Sequence, residues 1–310
     1  MPNKPVTIVG GFAVGFVFQG ARLPNPGETV IGDQFYECSG GKGSNQAVTA
    51  RRLGAPVRLI ARVGKDRYGD QALAMYERLG IDTRFIVRDP ESHTGVGAIV
   101  VDSAGRNLIS VVPGANFRLT HEEIDRAEAA IADSCLVGCQ LENNLDAVDY
   151  VLRKAHRLGV PTLLDPAPAA RLPEDLYPCL DFIKPNETEA TILTGINVAD
   201  PDGAAEAGRW FVQRGVKAAI VTLGENGAVL VAGPEVKHFP APKVQAVDTT
   251  GAGDIFSGAL MAALWAGDPI HASIEFASRA AALSVTRLGV IEAIPQRSEV
   301  LQFSCPPGSR

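Results

Sequence analysis

No run of this 310-residue chain approaches the roughly 20 apolar residues that cross a bilayer. The opening Met1-Pro2-Asn3-Lys4-Pro5 has no cleavage pattern of a secretory signal and leads straight into the apolar Val6–Gly10. The cytoplasm is therefore the expected compartment, with no membrane partner. Cysteine is scarce: Cys38, Cys135, Cys139, Cys179 and Cys305 are too scattered for a disulfide framework and do not spell a zinc quartet. Free thiols are expected. Positive charge is also in deficit, with 29 Lys and Arg against 35 Asp and Glu. A net charge of -6 argues against a nucleic-acid backbone as partner. It leaves room for a small anionic ligand, because an acidic protein can hold a locally positive site. Neither the spacing of a P-loop nor a G-x-G-x-x-G after the first strand is present, which sets aside an NAD-linked oxidoreductase.

What the chain does have is alternation. Val6–Gly10, Val57–Val63, Leu136–Gly138, Thr162–Asp165, Phe182–Lys184 and Ala218–Leu223 read as buried strands. Helical patterns lie between them at Asn45–Leu53, Asp70–Leu79, His121–Ala132, Leu145–Leu158 and Gly203–Arg214, several stopping at Gly54, Gly80, Gly159 or Gly215. This rhythm implies an α/β fold, an open and mostly parallel sheet with helices on both faces. Two stretches break it. Phe16–Phe35 carries Pro24, Pro26 and Gly27 without helical periodicity, and Thr94–Val112 reads as a hairpin turning at Ser103-Ala104-Gly105. They form either a separate small β-sheet or antiparallel edges of the main one.

The glycine-flanked segment Asp248-Thr249-Thr250-Gly251-Ala252-Gly253-Asp254 runs into Ile255-Phe256-Ser257, where Phe256, Leu260 and Leu264 share a helical face. Small residues at a helix start leave backbone N–H groups uncovered, and with the helix dipole these make an anion site. A carboxylate at the same turn is placed to accept a hydroxyl proton. Taken alone, Asp254 also suits a plain dipole-complementing residue. Gly40-Gly41-Lys42-Gly43-Ser44-Asn45 opens another helix, with donors at Lys42 and Asn45. Lys184-Pro185-Asn186-Glu187-Thr188-Glu189 follows a strand, and Asn186 with Glu189 fits either a capping box or a phosphate and Mg²⁺ site. Thr222-Leu223-Gly224-Glu225-Asn226-Gly227 ends a strand in a loop that suits nucleotide phosphates or a simple hairpin turn.

These four segments, in this order, closely resemble the ribokinase (PfkB-type) carbohydrate kinase family from Val6 through Pro295. The resemblance extends to Pro24–Thr29, Gly114–Asn116, Gln140–Glu142 and Ala280–Gly289. It implies a small β-sheet lid over residues 12–35 and 94–112, and an α/β domain over 1–11, 36–93 and 113–310. It implies a homodimer formed through the lid, with ATP and Mg²⁺ as cofactors and K⁺ as activator. Asp254 is then the base, and the amides of Gly251, Ala252 and Gly253 the anion hole. Gly41, Lys42, Gly43, Asn45 and Glu142 face the sugar-like acceptor. Asn186, Thr222, Gly224, Gly227, Gly253 and Ser278 handle ATP, and Glu189 organises Mg²⁺ through water. Asp248, Thr250, Ser284, Arg287 and Gly289 form a monovalent-cation loop, mostly through carbonyls.

The chain departs from this pattern at the acceptor wall. Ala13 and Gly15 stand where the family presents an Asn and an Asp. Ala293 replaces a side-chain oxygen of the cation shell, and Arg279 replaces a small residue near the adenine site. The expected activity is ATP-dependent phosphoryl transfer to a hydroxymethyl group of a sugar. Alternatives are a nucleoside or sugar acid as acceptor, or a non-catalytic regulator with the same fold.

Overall fold

Thirteen strands form two sheets in a computed structural model that describes residues 4–303. The tail from Ser304, including Cys305, lies outside the described residues. The larger sheet contains β1 (Val6–Val9), β4 (Val57–Gly64), β5 (Asp82–Asp89), β8 (Leu136–Gln140), β9 (Thr162–Asp165), β10 (Phe182–Ile183), β11 (Ala218–Thr222), β12 (Ala228–Ala232) and β13 (Glu235–Phe239). The smaller contains β2 (Ala13–Gln19), β3 (Gln34–Gly40), β6 (Gly95–Val101) and β7 (Asn107–Val112).

The larger sheet runs β13-β12-β11-β10-β9-β8-β1-β4-β5, and only the β11–β12 and β12–β13 pairs are antiparallel. Parallel strands need both faces covered, which is why β1, β8 and β9 are apolar runs without alternation and wholly buried. Helices α1 (Lys42–Arg52), α2 (Arg67–Leu79), α8 (Ala252–Ala266) and α9 (Ile270–Ser284) pack on one face around Val48, Leu59, Met75, Leu260 and Ala277. Helices α3 (His121–Arg126), α4 (Glu128–Ala132), α5 (Leu145–Arg157) and α7 (Pro201–Gln213) cover the other around Ile60, Ile124, Val151 and Phe211. The short α6 (Glu187–Thr194) and α7 close over β11 and β12, and α10 (Arg297–Gln302) is the last helix among the described residues.

The chain builds β4 and β5 to one side of β1, then returns to build β8 to β11 on the other. That reversal opens a crevice beyond the carboxyl ends of β1 and β8, where sheets of this kind bind ligands.

The expected helix ends hold in detail: Gly54, Gly80, Gly159 and Gly215 all take positive φ, where glycine escapes the Cβ penalty. One helix differs, and two alternatives left open are resolved. The expected helix His121–Ala132 breaks at Ala127, whose amide bonds Ile124 rather than continuing the turn. The Thr222–Gly227 loop is the turn of a hairpin joining β11 to β12. The smaller sheet is a separate structure, not an edge of the main one, and it continues to Gly40, so the expected boundary at residue 35 falls inside β3.

Its attachment is short. Asn116 clamps the crossover by accepting from Phe12 N (3.2 Å) and donating to Phe12 O (2.9 Å). Gly43 packs so tightly on Gly10 that a Cβ there would lie 2.5 Å from the Gly10 Cα. Glycine at this point is what lets α1 begin against the end of β1.

Candidate active site

Three segments, α1, the loop after β8 and α8, meet at one carboxylate. Helix α1 starts at Gly41, which has φ 92° and no side-chain cap, leaving its first amides to other partners. The Lys42 amide donates to Glu142 Oε2 at 2.7 Å, from the loop that follows β8. One turn along, Asn45 Nδ2 donates to Asp254 Oδ2 at 2.8 Å, and Lys42 Nζ lies 3.8 Å from Asp254 Oδ1. Asp254 and Asn45 are each only 5% exposed. Lys42, Asn45, Glu142 and Asp254, dispersed in the chain, are thus brought together, with the carboxylate of Asp254 oriented by an amide on one oxygen and an ammonium near the other.

Asp254 occupies the first turn of α8. Gly251 caps that helix in the left-handed region at φ 75°, where a Cβ would strike Val290 at 2.5 Å. The first intrahelical bond is Ile255 N to Gly251 O at 2.9 Å. Ala252 N leans back to Thr249 O at 3.3 Å, so the amides of Gly253 and Asp254 are the donors left facing outward. Of the expected Gly251, Ala252 and Gly253 amides, that of Ala252 is thus engaged, while those of Gly251 and Gly253 make no backbone hydrogen bond. A Cβ at Gly253 would have Lys184 Nζ at 3.6 Å as its nearest neighbour.

Charge in the pocket is unbalanced: Glu142, Asp165, Glu189 and Asp254 act on one another against the ammonium groups of Lys42 and Lys184. Burial, with the neighbouring Asp254, pushes the Glu142 carboxyl above its usual range. Burial and the charge of Asp165 do the same to Glu189. Asp254 beside it holds the Lys42 ammonium well above its ordinary value. A surplus of carboxylates around an anion site suits a divalent cation arriving with phosphate.

Asn186 and Glu189 form a reciprocal capping box on α6: Asn186 Oδ1 accepts from Glu189 N (2.8 Å) and Glu189 Oε2 from Asn186 N (2.9 Å). The structural reading of this pair is therefore realised, and it leaves Asn186 Nδ2 and Glu189 Oε1 free for a ligand. Thr222 is tied to the same strand end by its bridge to Asn186 and a 3.4 Å bond to Pro185 O. Gly224 and Gly227 both take positive φ, and a Cβ at Gly227 would collide with Phe239 O at 1.9 Å. Ser278 on α9 holds a buried Oγ without a partner, as does Arg279 its Nε. A bound polar ligand is one way to satisfy both.

Asp248 joins the two segments expected to form the cation loop. Its Oδ1 accepts from Thr250 N (2.9 Å) and its Oδ2 from Gly289 N (3.1 Å), while Val247 and Asp248 amides donate to Val285 O. Within the second segment the Ser284 carbonyl accepts the Arg287 amide at 3.0 Å, and Ala293 is buried behind it. Arg52 of α1 braces the segment from below through Ile291 O at 2.5 Å and Ile294 O at 3.1 Å.

On the opposite wall, Gly15 pairs with Cys38 across β2 and β3. A Cβ at Gly15 would meet Cys38 Sγ at 2.8 Å and Ile99 Cδ1 at 3.1 Å, so sulfur and methyl fill the place of a side chain. Burial, with the charges of Glu292 and Asp248, raises the Cys38 thiol above its ordinary value.

The sequence reading missed a buried cluster directly beneath the site. Asp165 Oδ2 accepts from Gln46 Nε2 (2.9 Å) and Ser257 Oγ (2.8 Å) and pairs with Lys184 Nζ (2.9 Å). Gln140 Nε2 in turn donates to Gln46 Oε1 at 2.6 Å. The available signal was a charged residue ending each of two successive buried strands.

The pfkB family carbohydrate kinase profile matches residues 6–297. Ribokinase of Haemophilus influenzae is 38% identical over 301 residues, covering 97% of this chain and 98% of that protein. Deoxyribokinase of Salmonella typhi is 36% identical over 299 residues, with coverage of 96% and 98%. The structure of Arabidopsis thaliana ribokinase complexed with ribose and ATP superposes with a TM-score of 0.88 at 29% identity, covering 97% of this chain and 99% of that one.

Proposed function

This chain belongs to the pfkB family of carbohydrate kinases, and from that membership we propose that Asp254 activates a hydroxymethyl group of a sugar-like acceptor for attack on the γ-phosphate of ATP. The observation that carries the reading is the convergence of Asn45 and Lys42 on Asp254 in the same helical turn that presents the free Gly253 and Asp254 amides. A hydroxyl held by Lys42, Asn45 and Glu142 would lie beside a fixed carboxylate that accepts its proton as its oxygen bonds the γ-phosphorus and the bond from that phosphorus to the bridging oxygen breaks, ADP leaving with the electron pair. The departing charge spreads over phosphoryl oxygens facing the α8 amides, which need no reorganisation to receive it.

Asn186, Thr222, Gly224, Gly227 and Ser278 would hold ATP, and Glu189 would engage Mg²⁺ through water. The metal would supply charge neutralisation along the phosphate chain. The two-segment loop braced by Asp248 is a reasonable seat for K⁺ at the Thr250, Ser284, Arg287 and Gly289 carbonyls, where it would stiffen the turn below the anion site. The small sheet would act as a lid that excludes water. Exposed Phe18, Phe35, Leu108 and Ile109 on it support a homodimer formed there.

The relatives named ribokinase and deoxyribokinase direct attention to pentoses. The Ala13, Gly15, Cys38 and Ile99 wall offers no strong hydrogen-bonding side chain, which favours an acceptor with fewer hydroxyls on that side. The test is ADP release with MgATP over ribose, 2-deoxyribose, ketoses, sugar acids and nucleosides, with the phosphorylated product identified by mass. Turnover is expected with at least one pentose, 2-deoxyribose exceeding ribose in kcat/KM. Binding of acceptors without turnover across the whole panel would instead identify a regulator.

A further inference from the structure

We infer that Lys184, held by Asp165, is a positioning residue for the phosphoryl-transfer turn, and that the pair serves the reaction rather than the stability of the fold. The inference rests on the kinase reading above.

The placement follows from strand register. Gln140 pairs with Asp165 across β8 and β9, and Leu164 pairs with Ile183 across β9 and β10. Gln140, Asp165 and Lys184 therefore stand side by side at three neighbouring strand ends. All three are nearly inaccessible, with Asp165 at 1% and Lys184 at 3%. Helices α1 and α8 close the row from above through Gln46 and Ser257.

A buried ion pair is an expensive way to fill a core, since well-packed apolar side chains of the same volume do as well or better for stability. Here the cation reaches further. Lys184 Nζ is 2.9 Å from Asp165 Oδ2 and donates to Gly253 O at 3.3 Å. Gly253 immediately precedes the base, and its amide is one of the two free donors of the anion site. Glycine at this point has no side chain to fix the turn, and the nearest atom to its missing Cβ is this same Nζ. Lys184 is thus a rigid strut from β10 to the turn that carries both the base and the anion donors. Asp165 aims it, with Gln46 and Ser257 fixing the carboxylate.

The double variant Asp165→Asn/Lys184→Met, compared with each single change, Lys184→Arg and wild type, separates the two roles. Each chain is assayed with MgATP and the acceptor giving the highest wild-type kcat/KM, and its Tm is measured. Lys184→Met should lower kcat about 10²-fold, as expected for a small misplacement of reacting groups, with acceptor KM within about twofold of wild type. Each single change leaves a buried charge unpaired and should lower Tm, while the double variant should regain Tm and keep the low kcat. Lys184→Arg should recover part of the lost kcat. If the double variant regained kcat together with Tm, the pair would be structural and the inference wrong. A rise in acceptor KM at unchanged kcat would overturn it as well. A wild-type protein inert on every acceptor would instead overturn the kinase reading on which both stand.

Discussion

Glu142 shows how a single side chain trades stability for a site. Its half-buried carboxyl accepts the Lys42 amide and lies near Asp254, and its affinity for a proton in the folded chain is raised above the ordinary value of 4.5. The unfolded chain therefore releases that proton at lower pH than the folded one. Folding carries no penalty from this group below the ordinary value, gains one as pH rises through the window up to the raised value, and bears it in full above. Glu142→Gln keeps an acceptor for Lys42 and removes the charge. The ligand-free variant should have a higher Tm than wild type at pH 8 and an equal Tm at pH 4, by differential scanning fluorimetry. The same change should raise the acceptor KM. A variant less stable than wild type at pH 8 would contradict this account of the carboxylate.

At the scale of elements, the capping box of α6 combines two roles that sequence alone left as alternatives. Asn186 Oδ1 and Glu189 Oε2 cap the helix, and the remaining atoms of both side chains stay free. Asn186→Ala removes the cap and should cost about 1 kcal/mol. Asn186→Asp keeps the cap but turns a carboxylate toward the phosphate side. It should leave Tm near wild type and raise the ATP KM several-fold. An ATP KM unchanged in Asn186→Asp would show that the cap alone matters.

Elements also mark what was readable in the chain. Strands buried on both faces and helices ending at Gly54, Gly80, Gly159 and Gly215 announce themselves, because burial and left-handed backbone each demand particular residues. β5 and β13 do not. They lie at the two edges of the sheet, and Asp82–Asp89 and Glu235–Phe239 mix charged and apolar residues as exposed edges permit. The site divides in the same way. Glycines at Gly41 and Gly251 point to Lys42, Asn45 and Asp254 because close approach and positive φ leave a local mark. The Asp165–Lys184 cluster leaves only a charged residue at the end of each of two buried strands, since their pairing arises from the register of β8, β9 and β10. The filling of the Gly15 hollow by Cys38 and Ile99 is likewise a product of tertiary pairing.

For the molecule as a whole, the fold places a rigid α/β body, with its carboxyl strand ends open, beneath a small sheet that crosses over at Phe12, Gly40 and Thr94. Phe18, Phe35, Leu108 and Ile109 remain exposed on that sheet. Sedimentation velocity should give twice the 32.7 kDa chain mass. The double substitution Leu108→Glu/Ile109→Glu should return it to a single chain mass, because two charges cannot be buried unpaired in such an interface. A wild-type monomer at micromolar concentration would remove the proposed dimer.

Everything in this arrangement converges on the turn that carries Asp254, and the most direct test removes its charge while keeping its shape. Asp254→Asn retains an acceptor oxygen for Asn45 but cannot take the hydroxyl proton. With MgATP and the preferred acceptor, product formation should fall by about 10²–10⁴-fold in kcat. ATP binding, measured by calorimetry, should stay within about threefold of wild type, since the Gly253 amide and the proposed contacts of Asn186, Thr222 and Ser278 are untouched by the change. Turnover of Asp254→Asn at the wild-type rate would contradict the assignment of Asp254 as the base.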